Sequence, residues 1–219
     1  IVPELLHLMK TSLVRTFQNT ARLVVLIGWT AQPKGKHMAG EFVTDINEIR
    51  RRARLHIENG AVTEGYRGNR EVVLKLLNEA LATEIVCVLR YKRHFFMAQG
   101  LNAESVAQEF AEHAAEEQGH ADRIAAHITQ LGGEPNFDPR GIADRSASEY
   151  VEGETLVDMI KEDLVAERIA IDSYRGMIDY VKDDDTTTRR MLEDILAVEE
   201  EHADDLNTLI ANLKGKEVA

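Results

Sequence analysis

Apolar residues recur at intervals of three and four along four long stretches of the chain, and this spacing predicts four α-helices. The predicted helices cover residues 70–99, 103–131, 153–182 and 187–213. Gly100 ends the first helix, and Gly132 and Gly133, followed by Pro135, end the second. On each helix the apolar positions form one stripe, which is the face expected to pack into a core.

The lengths of the connections predict the topology. Only a few residues join helices one and two, or helices three and four, so each pair is predicted to be antiparallel. About twenty residues, Gly132 to Glu152, separate helices two and three. A helix over 103–131 is roughly 44 Å long, and twenty extended residues reach roughly 66 Å. The predicted fold is therefore all-α, a four-helix bundle with a long crossover that makes helices two and three parallel.

The region before the bundle has a different character. We expect residues 1–68 to be an N-terminal extension and residues 69–219 to be the bundle. The extension contains a predicted short amphipathic helix over 44–58, with a basic face that pairs with the acidic bundle. We interpret residues 1–37 as a non-native or disordered segment. A secretory signal is the weaker alternative, because its apolar run is short and lacks a clear cleavage site.

Charge narrows the possible partners. The net charge is −12, and residues 69–219 hold sixteen Lys and Arg against thirty-two Asp and Glu. Such an acidic body suits cations and argues against nucleic acid. No run of about 18 apolar residues occurs, so no membrane partner is expected. The single Cys87 excludes a Cys-rich metal site and makes the cytoplasm the default location.

Each predicted helix carries a glutamate in the middle of its apolar stripe, where a charge is costly. The four are Glu84, Glu117, Glu167 and Glu199. The second and the fourth each begin a Glu-x-x-His pair, with His120 and His202. One such pair is expected by chance, so the specificity lies in the repeat. The two glutamates of each half are separated by 33 and 32 residues, and Tyr91 and Tyr174 each follow the first glutamate of their half by seven residues.

Four carboxylates that converge in a dry core need cations to stay ionised. Two divalent ions balance four carboxylates, and two imidazoles add neutral nitrogen ligands. Carboxylate oxygen with some imidazole suits iron or manganese, and zinc less well. Single glutamates on two helices and Glu-x-x-His on the other two are the arrangement of di-iron carboxylate bundles.

Residues 71–213 resemble a bacterioferritin, within the ferritin-like superfamily. The resemblance rests on four stretches: Asn-Glu-Ala-Leu-Ala-Thr-Glu-Ile at 78–85, Glu-Gln-Gly-His-Ala-Asp at 117–122, Asp-Leu-Val-Ala-Glu at 163–167 and Ile-Leu-Ala-Val-Glu-Glu-Glu-His at 195–202. It implies a ferritin-like four-helix bundle that forms a homo-oligomer, either a dimer or a larger shell.

The resemblance also implies the site and its activity. Glu84 and Glu167 become terminal ligands, Glu117 and Glu199 bridge the metals, and His120 and His202 each bind one ion. These six would be both the metal ligands and the catalytic residues. Two iron ions per subunit are implied, with Mn or Zn as possible substitutes. The implied reaction is ferroxidase: dioxygen or hydrogen peroxide oxidises Fe(II), and Fe(III) passes to a mineral store.

The sequence departs from bacterioferritins at two points. The haem-ligating methionine of that family is replaced by Gln118, so no haem is expected by that route. We expect no counterpart of that family's short fifth helix in the six residues that follow Leu213, up to Ala219, and therefore do not expect a 24-subunit shell.

Two other functions stay open. One is a non-storage di-iron oxidase or peroxidase that resembles rubrerythrin. The other, less favoured, is a starvation-type assembly that protects DNA through the arginines at 50–54.

Several polar residues near the stripes receive simpler interpretations. We expect Asp163 to hydrogen-bond a ligand histidine, because metal-bound imidazoles usually donate their other N–H to an acceptor. His94 and His113 are read as satisfied helix histidines, although a role in bringing iron to the site stays open. Glu112 and Glu116 are read as a solvated acidic face, with an accessory iron site as the alternative.

Overall fold

The computed structural model describes residues 45–100 and 103–217, and all regular structure within these ranges is helical. The expectations for residues 1–37 lie outside the described residues. The elements are α1 (Ile46–Arg52), a 3-10 turn (Ile57–Asn59), α2 (Arg70–Met97), α3 (Ala103–Gln130), α4 (Ile142–Arg145), α5 (Leu156–Val181) and α6 (Thr186–Glu217). The predicted all-α four-helix bundle is confirmed, with α2, α3, α5 and α6 as its helices.

Side chains that cap backbone groups set the helix ends. The Asn69 side chain accepts a hydrogen bond from the third residue of α2, and Thr155 does the same for α5. Asp185 accepts the Thr188 N–H at 3.0 Å at the start of α6. Each cap satisfies a backbone donor that the first helical turn leaves unpaired. Helix α3 ends at Gln130, and Gly132 just beyond it has a φ of 70°, a conformation that favours glycine.

Contacts between the two halves give the helix directions. Tyr91 of α2 meets Glu167 of α5, and Tyr174 of α5 meets Glu84 of α2, so these two helices are antiparallel. The hairpins α2–α3 and α5–α6 are also antiparallel neighbours. Helices α3 and α5 are therefore parallel, as the length of the crossover predicts.

The crossover follows α2 along its length. The Asn136 N–H bonds the Asn78 side chain at 2.7 Å, and the Ala147 N–H bonds Thr83 at 3.0 Å. Farther along, the Glu152 carbonyl lies 3.0 Å from Nε2 of His94. The crossover also contains the short helix α4, which the sequence does not predict. These bonds hold the crossover against α2 while the chain returns to begin α5.

The short N-terminal helix is smaller than predicted. It covers Ile46–Arg52 rather than 44–58, and the chain then turns, with a φ of 51° at His56. Arg50 and Arg54 stand four residues apart, where their like charges would share one face of a longer helix and destabilise it. Arg51 and Arg52 both pair with Glu48 of the same helix, at 2.7 and 3.4 Å, rather than with the bundle.

Two apolar clusters fill the bundle on either side of its middle. The first contains Leu77, Leu81, Ile124, Ile128, Leu192 and Ile195, among others. The second contains Tyr91, Val106, Phe110, Met159, Ile160 and Leu206, among others. Burying one such aliphatic side chain contributes about 1.5–3 kcal/mol to folding. None of the helices in the described ranges has both the length and the apolar character needed to cross a membrane.

Candidate metal centre

The middle of the bundle is polar, and all six residues predicted as ligands meet there. Each is at most 5% exposed, although four carry carboxylates. They are Glu84 of α2, Glu117 and His120 of α3, Glu167 of α5, and Glu199 and His202 of α6.

The six residues form two overlapping groups. In each group one oxygen or nitrogen atom per residue lies within 4.8 Å of the others. Glu117 and Glu199 belong to both groups. Glu84 and His120 complete the first group, and Glu167 and His202 complete the second. Two candidate positions for an ion thus share the two central carboxylates.

Seven atoms of these residues are buried without a hydrogen-bond partner. They are Oε2 of Glu84, Oε1 of Glu117, Nδ1 of His120, Oε2 of Glu167, both carboxylate oxygens of Glu199, and Nδ1 of His202. An unsatisfied buried polar group costs about 1–3 kcal/mol, and more when it is charged. Such atoms turned toward one point fit bound cations, and the donor set of oxygen with two nitrogens fits divalent iron or manganese.

The pKa values of the six residues also indicate an excess of buried negative charge. Burial and the charge of Glu117 raise the pKa of Glu84 to about 8, and burial with the charges of Glu117 and Glu199 raises the pKa of Glu167 well above its usual range. Burial lowers the pKa of both histidines, but the surrounding carboxylates outweigh it. They raise the pKa of His120 to about 12 and that of His202 to about 11. Without metal, protons on the imidazoles therefore supply positive charge among the carboxylates.

Two tyrosines orient the outer oxygens of two glutamates. The Tyr91 hydroxyl donates to Glu167, and the Tyr174 hydroxyl donates to Glu84. Each tyrosine comes from the opposite half of the bundle and is nearly fully buried. The bond occupies Oε1 of each glutamate and leaves Oε2 aimed into the site.

A carboxylate outside the centre fixes the orientation of His202. Its Nε2 lies 2.7 Å from Oε2 of Glu116, so Nδ1 faces the other ligands. The Glu116 side chain is 54% exposed, and the sequence predicts it only as part of a solvent-exposed acidic face. The structure shows in addition that it contacts His202. A partner of this kind sets the tautomer of a ligating imidazole.

Asp163 does not hydrogen-bond a ligand histidine, so that prediction is wrong. Its two oxygens lie 2.8 Å from Nε of Arg90 and 2.8 Å from Nδ1 of His94. Arg90 is a fully buried cation, which the apolar stripe of α2 does not predict. It supplies the countercharge that Asp163 needs inside the bundle.

His113 lies directly beside the centre. Its ring stacks on His202 with centroids 4.0 Å apart, and its Nδ1 is 3.2 Å from the Tyr91 oxygen. Burial, with the positive charge of His202, lowers the pKa of His113 to about 3. One signal of this placement exists in the sequence, because position 113 precedes Glu117 by four residues and shares its helix face.

A variant can test the unbalanced charge of the centre. We expect Glu199→Gln to raise the melting temperature of the chelator-treated protein by several degrees, because it removes one of four crowded carboxylates and adds an amide donor. Thermal unfolding followed by circular dichroism measures this. The matched control is Glu201→Gln on the exposed face of α6. A lower melting temperature for Glu199→Gln than for the control would contradict the charge argument.

Comparison with known proteins agrees with this geometry. The family model of the ferritin-like domain matches residues 74–215. The bacterioferritin of Rhodobacter capsulatus is 32% identical over 143 residues, which is 64% of this chain and 83% of that protein. Its solved structure aligns with a TM-score of 0.57 and 30% identity, and covers 66% of this chain and 86% of that one.

A second solved structure is the bacterioferritin-related protein of Bacteroides fragilis, a dodecameric thioferritin. It aligns with a TM-score of 0.67 and 29% identity, and covers 69% of this chain and 91% of that one. The match of the family model and the identity to the Rhodobacter protein lead to one conclusion: this chain belongs to the ferritin-like family, as a bacterioferritin-like member.

Proposed function

We propose that this protein is a cytoplasmic ferroxidase, which oxidises Fe(II) to Fe(III) with dioxygen or hydrogen peroxide for iron storage and detoxification. The observation that carries the proposal is the set of seven buried, unpartnered ligand atoms between two apolar clusters. Membership of the ferritin-like family supports the same function.

The two overlapping groups support a pair of ions per subunit. Glu84 and His120 would hold one iron, Glu167 and His202 the other, and Glu117 and Glu199 would contact both. Two divalent ions balance the four carboxylates, which explains how these charges can stay buried. The same atoms would accept Mn or Zn as substitutes.

The surrounding residues prepare the site for this chemistry. Bound Fe(II) supplies the electrons that reduce the oxidant. The hydroxyls of Tyr91 and Tyr174 keep the outer glutamate oxygens fixed, so the inner oxygens need no reorganisation when ions bind. Glu116 accepts the Nε2 proton of His202 and keeps Nδ1 directed inward. The two apolar clusters border the centre on both sides along the bundle.

The double variant Glu117→Ala with His120→Ala tests the site. We expect the rapid consumption of oxygen after Fe(II) addition to fall to the rate of iron in buffer, because one shared ligand and one terminal ligand are lost. An oxygen electrode measures this, and Glu104→Ala on the exposed start of α3 is the control. If the double variant keeps the wild-type rate while the protein is folded, the assignment of the site fails.

Storage requires a shell, and the dodecameric relative from Bacteroides fragilis supports a homo-oligomer. We expect light scattering and native mass spectrometry after aerobic iron loading to show a multi-subunit shell that retains far more iron than two ions per chain. A small oligomer that retains only those two ions would favour the non-storage oxidase instead.

We propose that the protein binds no haem through position 118. Gln118 lines an apolar groove of about 420 Å³, and its amide donates to Asp122 at 3.0 Å. An amide is a poor ligand for haem iron, whereas histidine, cysteine and methionine are the usual ones. The purified protein should therefore lack a Soret band after expression with added haem precursor. A haem spectrum that survives gel filtration would contradict this expectation.

A further inference from the structure

A second cluster of potential ligands lies beside the metal centre. Nε2 of His113 is 3.4 Å from Oε1 of Glu109 and 3.9 Å from Oδ2 of Asp205. The three ligand atoms lie within 4.8 Å of one another. The His113 side chain is only 3% exposed, whereas those of Glu109 and Asp205 are 29% and 46% exposed. The cluster therefore connects the buried centre to solvent.

Hydrogen bonding fixes which nitrogen of His113 faces this cluster with a lone pair. Tyr91 has one hydroxyl proton, which it donates to Glu167. The Tyr91 oxygen can then only accept from Nδ1 of His113, 3.2 Å away, so Nδ1 carries the proton. The neutral ring presents a lone pair at Nε2, toward two carboxylates.

Three acceptors that face one another without a donor fit a cation. Burial and the charges of Asp205, Glu112 and Glu116 raise the pKa of Glu109, which shows how crowded the negative charge is. Ligands about 2.1 Å from an ion lie about 3.0–3.4 Å apart. The separations of 3.4 and 3.9 Å are close to these values, and the half-exposed Asp205 can rotate to close the gap.

We propose that His113, Glu109 and Asp205 form a third divalent-cation site, which holds Fe(II) before it enters the Glu167 and His202 side of the centre. The delivery role rests on the proposed ferroxidase function, whereas the binding of a third ion does not. The stacking of His113 on His202 places this third site next to the Glu167 and His202 half of the centre.

The test uses zinc as the probe and keeps His113 intact, because its ring packs against the centre. Crystals of the chelator-treated protein are soaked with three equivalents of Zn²⁺ per chain, and anomalous peaks are counted. We expect a peak between His113, Glu109 and Asp205 in the wild type, and its loss in the double variant Glu109→Gln with Asp205→Asn. The control Glu104→Gln with Asp204→Asn makes the same charge change at exposed positions of the same helices.

Each outcome decides a separate claim. The proposal of a third site is overturned if the wild type shows no peak between His113, Glu109 and Asp205, or if the double variant keeps that peak unchanged. Empty positions at Glu117 and Glu199 would instead count against the proposed function. For delivery, we expect the double variant to raise the KM for Fe(II) several-fold at unchanged kcat, while the control keeps both. An unchanged KM overturns the delivery role.

Discussion

The structure depends on how four carboxylates are balanced inside a helical bundle. The side chains of Glu84, Glu117, Glu167 and Glu199 are at most 1% exposed. Removing a charge from water costs several kcal/mol even after the protein relaxes. The apolar clusters on either side contribute favourable free energy of folding. The buried carboxylates between them contribute an unfavourable one. Ions that bind the folded form alone would offset this cost, and stability is then linked to metal binding.

The bundle contains a second group of buried charges, in which protein side chains of opposite charge supply the balance. Asp163 is paired with both Arg90 and His94, and Arg90 also donates to the Glu149 carbonyl at 2.8 Å. Every charge in this group has a protein partner, so it holds the crossover to α2 and needs no ion. The two groups lie in the same interior, and of these two only the glutamate centre has buried side-chain atoms without a hydrogen-bond partner. Partnering, rather than burial, separates a structural ion pair from a binding site.

Much of this arrangement is predictable because helices are periodic. A stripe with spacing of three and four specifies which face is buried, and a glutamate on that face, such as Glu167, must then enter the core. The same reasoning fails for partners between helices. The position of Asp163 predicts its burial but not its pairing with Arg90, since that depends on the rotation of α2 relative to α5. The short helix α4 was missed because four residues carry no periodic signal.

The predicted ligands and the two tyrosines recur at equivalent positions in the two halves of the bundle. The residues next to them do not. His113 and Glu116 stand four residues and one residue before Glu117, and the corresponding positions before Glu199 hold Ile195 and Val198. Apolar side chains can neither bind an ion nor accept a proton from an imidazole. The two groups of predicted ligands thus have unequal surroundings. His113 stacks on His202 and Glu116 lies 2.7 Å from its Nε2, whereas the equivalent Ile195 and Val198 are apolar. A repeat in the sequence thus gives both halves the same pattern of glutamates and histidines, while the residues packed around that pattern differ between the halves.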